Sequence, residues 1–183
     1  MTIKKHLLCL LLLFSHPAFS ATINDLFSAA IFGKTERVKF LLSEGVDVNG
    51  KTATGRTAMM AASFNGNVRV VRILMAYGAD VNIADNLGST ALMDAVVFGN
   101  EELVKLLITA GADVNALDRQ NISVIEKAKK TKYDNIVNIL EKSAAAKEEN
   151  QDAAENLETE SEEATENEEN SESKNTETKE KNE

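Results

Sequence analysis

The sequence predicts an all-α solenoid of about four stacked helix–turn–helix units joined by hairpin-like loops. Three observations predict it. First, residues recur at a spacing of 33: Gly45, Gly78 and Gly111; Gly33, Gly66 and Gly99; Asn49, Asn82 and Asn115; Thr57 and Thr90, with Ser123 at the next step. Second, the segments LFSAAIFG (26–33), MMAASFNG (59–66), LMDAVVFG (92–99) and IEKAKKTK (125–132) fall together in that register. Each is followed by another apolar stretch: ERVKFLLSEG, RVVRILMAYG, ELVKLLITAG and NIVNILEKSA. Third, the apolar residues of these stretches sit at helical spacing, yet each stretch is too short for a stable isolated helix, so the units must stack on one another.

Residues 1–20 precede the repeats. Lys4 and Lys5, an apolar run from Leu7 to Phe14, and the small residues Ala18 and Ser20 around Phe19 form the pattern of a secretory signal peptide. Eight apolar residues fall well short of the roughly 20 that a membrane-spanning helix needs, so an uncleaved anchor is the weaker reading. Cys9 lies inside the run and not after a cleavage box, which argues against a lipid-anchored cysteine. Cleavage after Ser20 is expected, with export to the periplasm or the medium and no membrane insertion afterwards. It removes His6, Cys9, His16 and Pro17, the only His, Cys and Pro in the chain. The mature protein then needs no disulfide in an oxidising compartment.

The units follow at about 24–50, 51–83, 84–116 and 117–142, making a domain over 21–143. Thr57 and Thr90 are placed to cap a first helix by accepting a backbone N–H, and Gly66 and Gly99 are placed to end it in the left-handed conformation. A second helix carries Val70, Val71 and Leu74 in one copy and Val104, Leu107 and Ile108 in the next, and Gly78 and Gly111 terminate it. From Ala79 to Thr90 the pattern suits an extended connection turning at Gly88. Gly55 stands at the equivalent turn, and Asn121 at the third tolerates the same geometry. The end units are degenerate. The first lacks a preceding hairpin, and the last has Lys132 and Ala144 for its glycines, with Lys127, Lys129 and Lys130 expected on an exposed helix as a polar cap.

From Ala144 to Glu183 there are 15 acidic residues against 4 lysines, a net charge of −11, with hardly an aliphatic side chain beyond Leu157 and some alanines. Such a segment cannot bury enough apolar surface to offset chain entropy, so 144–183 is expected to be a disordered acidic tail whose alanine-rich start extends the preceding helix. Two roles stay open for it: a self-repelling, solubilising segment, or a segment that contacts basic surfaces on a partner. Residues 21–143 carry 14 acidic and 14 basic side chains. The folded part is therefore neutral, with no basic face for nucleic acid.

Units of 33 residues, with G-x-T-x-x-x-x-A near the start and GADVN or GVDVN at the end, resemble ankyrin repeats over residues 24–142. There are departures. The family's Thr-Pro-Leu-His start reads Thr57-Ala58-Met59-Met60 and Thr90-Ala91-Leu92-Met93 here. Proline's fixed φ and the histidine bond to the loop are both lost, which implies units less rigid than consensus ones. The resemblance extends to short exported bacterial ankyrin-repeat proteins.

Function then divides into classes. With His and Cys gone after cleavage, the usual triads, thiol nucleophiles and zinc sites are excluded. Asp80 and Asp113 recur at the structural period, so their expected role is bonding the loop's own backbone. No six-oxygen calcium loop with a glycine turn and closing Glu follows them. No enzyme activity, cofactor or metal is expected, and an enzyme of unknown type stays only as a distant alternative. The resemblance implies a protein-binding module whose partner is an unidentified protein. Its face would be the concave one formed by hairpin tips and the exposed side of the first helices. Carried over residue by residue, that face takes Ile31 and Phe32 from the first unit, and Lys51, Ala53, Thr54, Arg56, Phe64 and Asn65 from the second. The third supplies Ala84, Asn86, Leu87, Ser89, Val97 and Phe98, and the fourth Leu117, Arg119, Gln120 and Ile122. Before each helix-ending glycine stand Ile31-Phe32, Phe64-Asn65 and Val97-Phe98, which suggests either an exposed apolar strip for a partner or rings folded back as supplementary core. A secreted effector acting on host proteins is the alternative functional reading, and an inert structural or storage role for the tail, with the repeats as a handle, is a third.

Overall fold

The computed structural model describes residues 21–147; the expected signal peptide, 1–20, and residues 148–183 of the expected tail lie outside the described residues. Helices come in pairs. They are α1 (Ile23–Ile31), α2 (Thr35–Ser43), α3 (Ala58–Phe64), α4 (Val68–Ala76), α5 (Ala91–Val97), α6 (Glu101–Thr109) and α7 (Val124–Lys129). An eighth, α8, is helical over 134–147. The alanine-rich 144–147 thus continue α8, past the expected domain boundary at 143. The first helices α1, α3, α5 and α7 pack one against the next, each of the first three against its own second helix, and α2 against α4 behind them.

The caps are built as the sequence suggests. Thr57 Oγ1 accepts from Met60 N and Thr90 Oγ1 from Met93 N, both in buried surroundings. At the two ends of the stack the caps are stronger. Thr22 with Asp25, and Ser123 with Glu126, each form a reciprocal capping box that satisfies two free backbone donors at once. Hydrogen bonds from Thr22 hold the Asp25 carboxyl below its usual range, and those from Ser123 do the same for Glu126.

Gly78 shows how the second helices end. Its φ is +82°, its N–H bonds Met75 O at 2.9 Å and the next N–H, of Ala79, bonds Leu74 O at 3.0 Å, which closes the last turn. At 132 the sequence has Lys and not Gly, and α7 stops after Lys129, where the Thr131 hydroxyl donates to Ala128 O at 2.6 Å. Asn121 takes the hairpin turn at φ +58°, as its equivalence to Gly55 and Gly88 suggests. The connections are hairpin-like with a single bridge each, Ala84 to Thr90 and Leu117 to Ser123.

One core runs through the stack. Val70, Val71 and Leu74 of α4 are buried, as are Leu103, Val104 and Leu107 of α6, while Ile108 is only partly so. Each such Val or Leu contributes about 1.5–3 kcal/mol relative to exposure. That burial, and not helix propensity, holds helices of seven to nine residues in place.

The repeated pentapeptide is a coupling device. Within each copy the Asp bonds its own loop: Asp80 Oδ1 accepts from Asn82 N at 2.8 Å, and Asp47 and Asp113 do the same with Asn49 and Asn115. The Asn serves the following unit and not its own loop. Asn82 Oδ1 accepts from Asp113 N at 2.8 Å, and its Nδ2 donates to Gly111 O at 3.1 Å, both in the following unit. Asn49 reaches Asp80 N and Gly78 O in the same way. Asp folds the loop; Asn joins it to the next.

Candidate protein-interaction surface

The hairpin tips are joined from unit to unit by backbone bonds. Asn86 N donates to Thr54 O at 3.1 Å and Arg119 N to Leu87 O at 3.0 Å, one register step apart. Each tip is shaped by a side-chain oxygen. Asp85 Oδ1 accepts from Leu87 N and Ser89 N, and Asp118 Oδ1 from Gln120 N and Ile122 N. In the second unit Thr52 Oγ1 takes that place, accepting from Arg56 N at 3.2 Å. Gly88 is needed at its tip for a second reason besides its φ of +78°. A Cβ there would stand 2.8 Å from Arg119 N and 3.0 Å from Asp118 Cα, in the backbone of the next hairpin.

Two ion pairs tie the hairpins to the first helices and so define one face between them. The Arg56 guanidinium pairs with Asp94 on α5, and Lys127 on α7 pairs with Asp118 at 2.5 Å. Lys127 is consequently mostly covered, contrary to the expectation of a solvated cap residue: Asp118 is buried beneath it and needs the charge. The hydrogen bond from Lys127 holds the Asp118 carboxyl below its usual range. Asp94 goes the other way. Burial raises it to about 6, although Arg56 beside it favours the charged form.

Arg56 also lies over the Phe64 ring, 5.7 Å from its centroid, and the Phe64 and Phe98 rings meet with centroids 4.1 Å apart at 58°. Arg56 Nε is buried with no hydrogen-bond partner among the described residues. Arg56, Phe64, Asp94 and Phe98 therefore form one cluster at the middle of the face.

The sequence-predicted residues fall on this face in two groups. Phe32, Lys51, Thr54, Phe64, Asn65, Asn86, Leu87, Val97, Phe98, Arg119 and Gln120 are exposed, and Ile31, Arg56 and Ser89 are half-buried. Of the neighbours read with them, Ala53 and Leu117 are exposed, and Ala84 and Ile122 half-buried. Several polar members have internal work. Asn65 Nδ2 donates to Ile31 O at 2.7 Å, Asn86 Nδ2 to Ala53 O at 3.2 Å and Lys51 Nζ to Ala84 O at 3.1 Å. The phenylalanines do not form a single row. Phe64 stands one position earlier in its unit than Phe32 and Phe98 do, and it is the Phe64 and Phe98 rings that meet. Phe32 is 73% and Leu87 71% exposed, so neither serves as supplementary core, whereas Phe64 and Phe98 are partly covered by each other.

Asp94 and the pairing of Lys127 escaped the sequence reading. The helical period held the signal: Asp94 is three and four residues before Val97 and Phe98, which puts all three on one side of α5. Among the described residues no group of three or more His, Cys, Asp or Glu side chains is arranged to hold a metal ion, and no helix is long and apolar enough to cross a membrane.

A comparison with curated proteins finds no match. The family model for ankyrin repeats (3 copies) matches residues 26–118, just over half of the chain. The matched span covers the first three helix pairs and the hairpin entering the fourth, and α7 continues the stack beyond it. With the period, the paired helices and this match in agreement, the chain belongs to the ankyrin-repeat family.

Proposed function

We propose that this chain is an exported, non-catalytic module that captures a partner protein on the face formed by its hairpin tips and first helices. Ankyrin repeats are generally protein–protein interaction modules and are typically non-catalytic. The observation that carries the reading is the set of large apolar side chains left in solvent on this face. Phe32 and Leu87 are the most exposed of them, with Val97, Phe98 and Leu117 between a third and two-thirds exposed. Large apolar groups clustered in solvent cost free energy unless something covers them, and such patches mark interaction sites. Export rests on the basic start, the short apolar run and the small-residue end of residues 1–20, and N-terminal sequencing of exported protein beginning at Ala21 tests it.

The binding test follows from the exposures. Phe32→Asp with Leu87→Asp alters two side chains with little packing to lose, so the variant keeps its melting curve. Capture from the envelope fraction and the medium, compared between wild type and this variant by mass spectrometry, should show a specific partner that the variant loses. Equal capture by both chains would place the binding surface elsewhere.

A further inference from the structure

Along the face, side-chain character changes from one end to the other. Three columns at and after the first helices read Ser28, Ala61, Asp94, Lys127, of which Ala61 is buried; then Ile31, Phe64, Val97, Lys130; then Phe32, Asn65, Phe98, Thr131. The N-terminal end is apolar and the C-terminal end carries cations. Lys127 is engaged by Asp118, and Lys129 by Glu141 at 2.9 Å. Arg119, Lys130 and Lys132 are exposed, and among the described residues their side chains make no ion pair or hydrogen bond. Of the acidic groups on the same unit, Glu141 is paired with Lys129, Glu126 lies close enough to Lys130 to feel its charge, and Asp134 stands beside Lys132, so the cations outnumber the carboxylates near them.

The described chain ends at the base of the last hairpin, about 20 Å along α8 from Lys132. Lys147 Nζ donates to Ala112 O at 3.3 Å, so α8 finishes at the base of the last hairpin, whose tip carries Leu117, Arg119 and Gln120. From there 36 residues follow, 148–183, with 15 acidic side chains against 3 lysines, a net charge of −12. A chain of that length has a root-mean-square reach of about 30 Å, longer than the roughly 20 Å that α8 spans. Tethering also gives it an effective concentration on the order of millimolar at any site within that reach.

We propose that the acidic segment 148–183 folds back in the same molecule onto the C-terminal end of this face, against Arg119, Lys130 and Lys132. It neutralises the cationic end and leaves the apolar end, at Phe32 and Phe64, as the part open to a partner. A partner that brings its own carboxylates to the cationic end competes with the tail, so the tail selects for apolar contact. The inference needs no partner protein and stands or falls apart from the binding role.

The test uses the full chain with Cys9→Ser and a nitroxide on Asn167→Cys, read by the loss of amide NMR signal near the label. Expected is selective loss around 117–133, absent from α2. It is reversed at about 1 M salt, where the screening length falls to about 3 Å. The triple variant Arg119→Glu, Lys130→Glu, Lys132→Glu should abolish the loss while its remaining spectrum shows the intact fold. Uniform loss, loss centred on α1 and α2, or loss unchanged by salt or charge reversal overturns the proposal. A mixture of isotope-labelled and spin-labelled chains provides the last check: loss that arises only between molecules overturns it too.

Discussion

Asn82 and Asn115 occupy the same place in two identical pentapeptides, yet their worth should differ. Asn82 accepts from Asp113 N at 2.8 Å and donates to Gly111 O at 3.1 Å, joining the second unit to the third. Asn115 has the same loop bond to its backbone N–H, but the positions in register with Gly111 and Asp113, at 144 and 146, lie in α8, so among the described residues no following loop of this kind receives its side chain. Each internal hydrogen bond contributes about 1 kcal/mol net. The partners of Asn82 are exposed, so water can satisfy them once the side chain is gone, and no burial penalty adds to the loss. Two exposed bonds at the lower end of the range for such bonds, about 0.5–0.75 kcal/mol each, put Asn82→Ala at about 1–1.5 kcal/mol and Asn115→Ala at less than about 0.5 kcal/mol. Asn49→Ala should fall between, since its second bond is long at 3.5 Å. Urea unfolding followed by far-ultraviolet circular dichroism measures this as midpoint shifts at constant slope. Equal costs for Asn82→Ala and Asn115→Ala would refute the coupling role and return the residue to its own loop.

Three further outcomes follow from the geometry. Asp94 ionises at about 6 in the fold and at 3.8 when unfolded. The folded form therefore holds the extra proton between those values. Its contribution is complete below pH 3.8 and is lost as pH rises through about 6, by roughly 3 kcal/mol in all. The difference in stability between wild type and Asp94→Asn, measured from pH 3.8 upward through about 6, should fall across that window, and a flat difference contradicts the burial of Asp94. Gly88→Ala meets both a left-handed φ and the backbone of the next hairpin and should cost about 3 kcal/mol, against about 1 kcal/mol for Gly78→Ala, whose Cβ meets nothing within 4 Å; equal thermal shifts would contradict the packed hairpin tips. Phe98→Ala should cost about 1 kcal/mol through the lost ring pair with Phe64, and Phe32→Asp less than about 0.5 kcal/mol. A reversed order in chemical denaturation would show that Phe32 is the one that packs.

The parts of the fold that repeat were legible because repetition itself is the signal. Glycines at helix ends, threonines at helix starts and the left-handed Asn121 each answer a local backbone need, and local needs can be read from one segment at a time. Which neighbour a residue serves is not local. Asn82 recurs at the same period whether it bonds its own loop or the next, and only the stacked geometry separates the two. The ion pairs were hidden for the opposite reason. The column Ser28, Ala61, Asp94, Lys127 changes character in every unit, so no periodic mark draws attention to Asp94 or Lys127. Lys127 in particular read as a surface lysine because its partner Asp118 lies on the preceding hairpin, nine residues away. The phenylalanine strip was half legible: its exposure at Phe32 follows from its place at the helix end, but the one-position offset of Phe64, which produces the ring pair with Phe98, depends on how adjacent helices lie together.

Whether the hairpin tips and first helices carry the binding surface can be measured most directly by site-specific photocrosslinking. A benzophenone side chain at Phe32, on this face, is compared with one at Phe40, an exposed aromatic on α2 in the other helix layer. In living cells, followed by mass spectrometry, the proposed surface gives a specific crosslinked protein from position 32 and none from position 40. A partner trapped from Phe40 and not from Phe32 would contradict it.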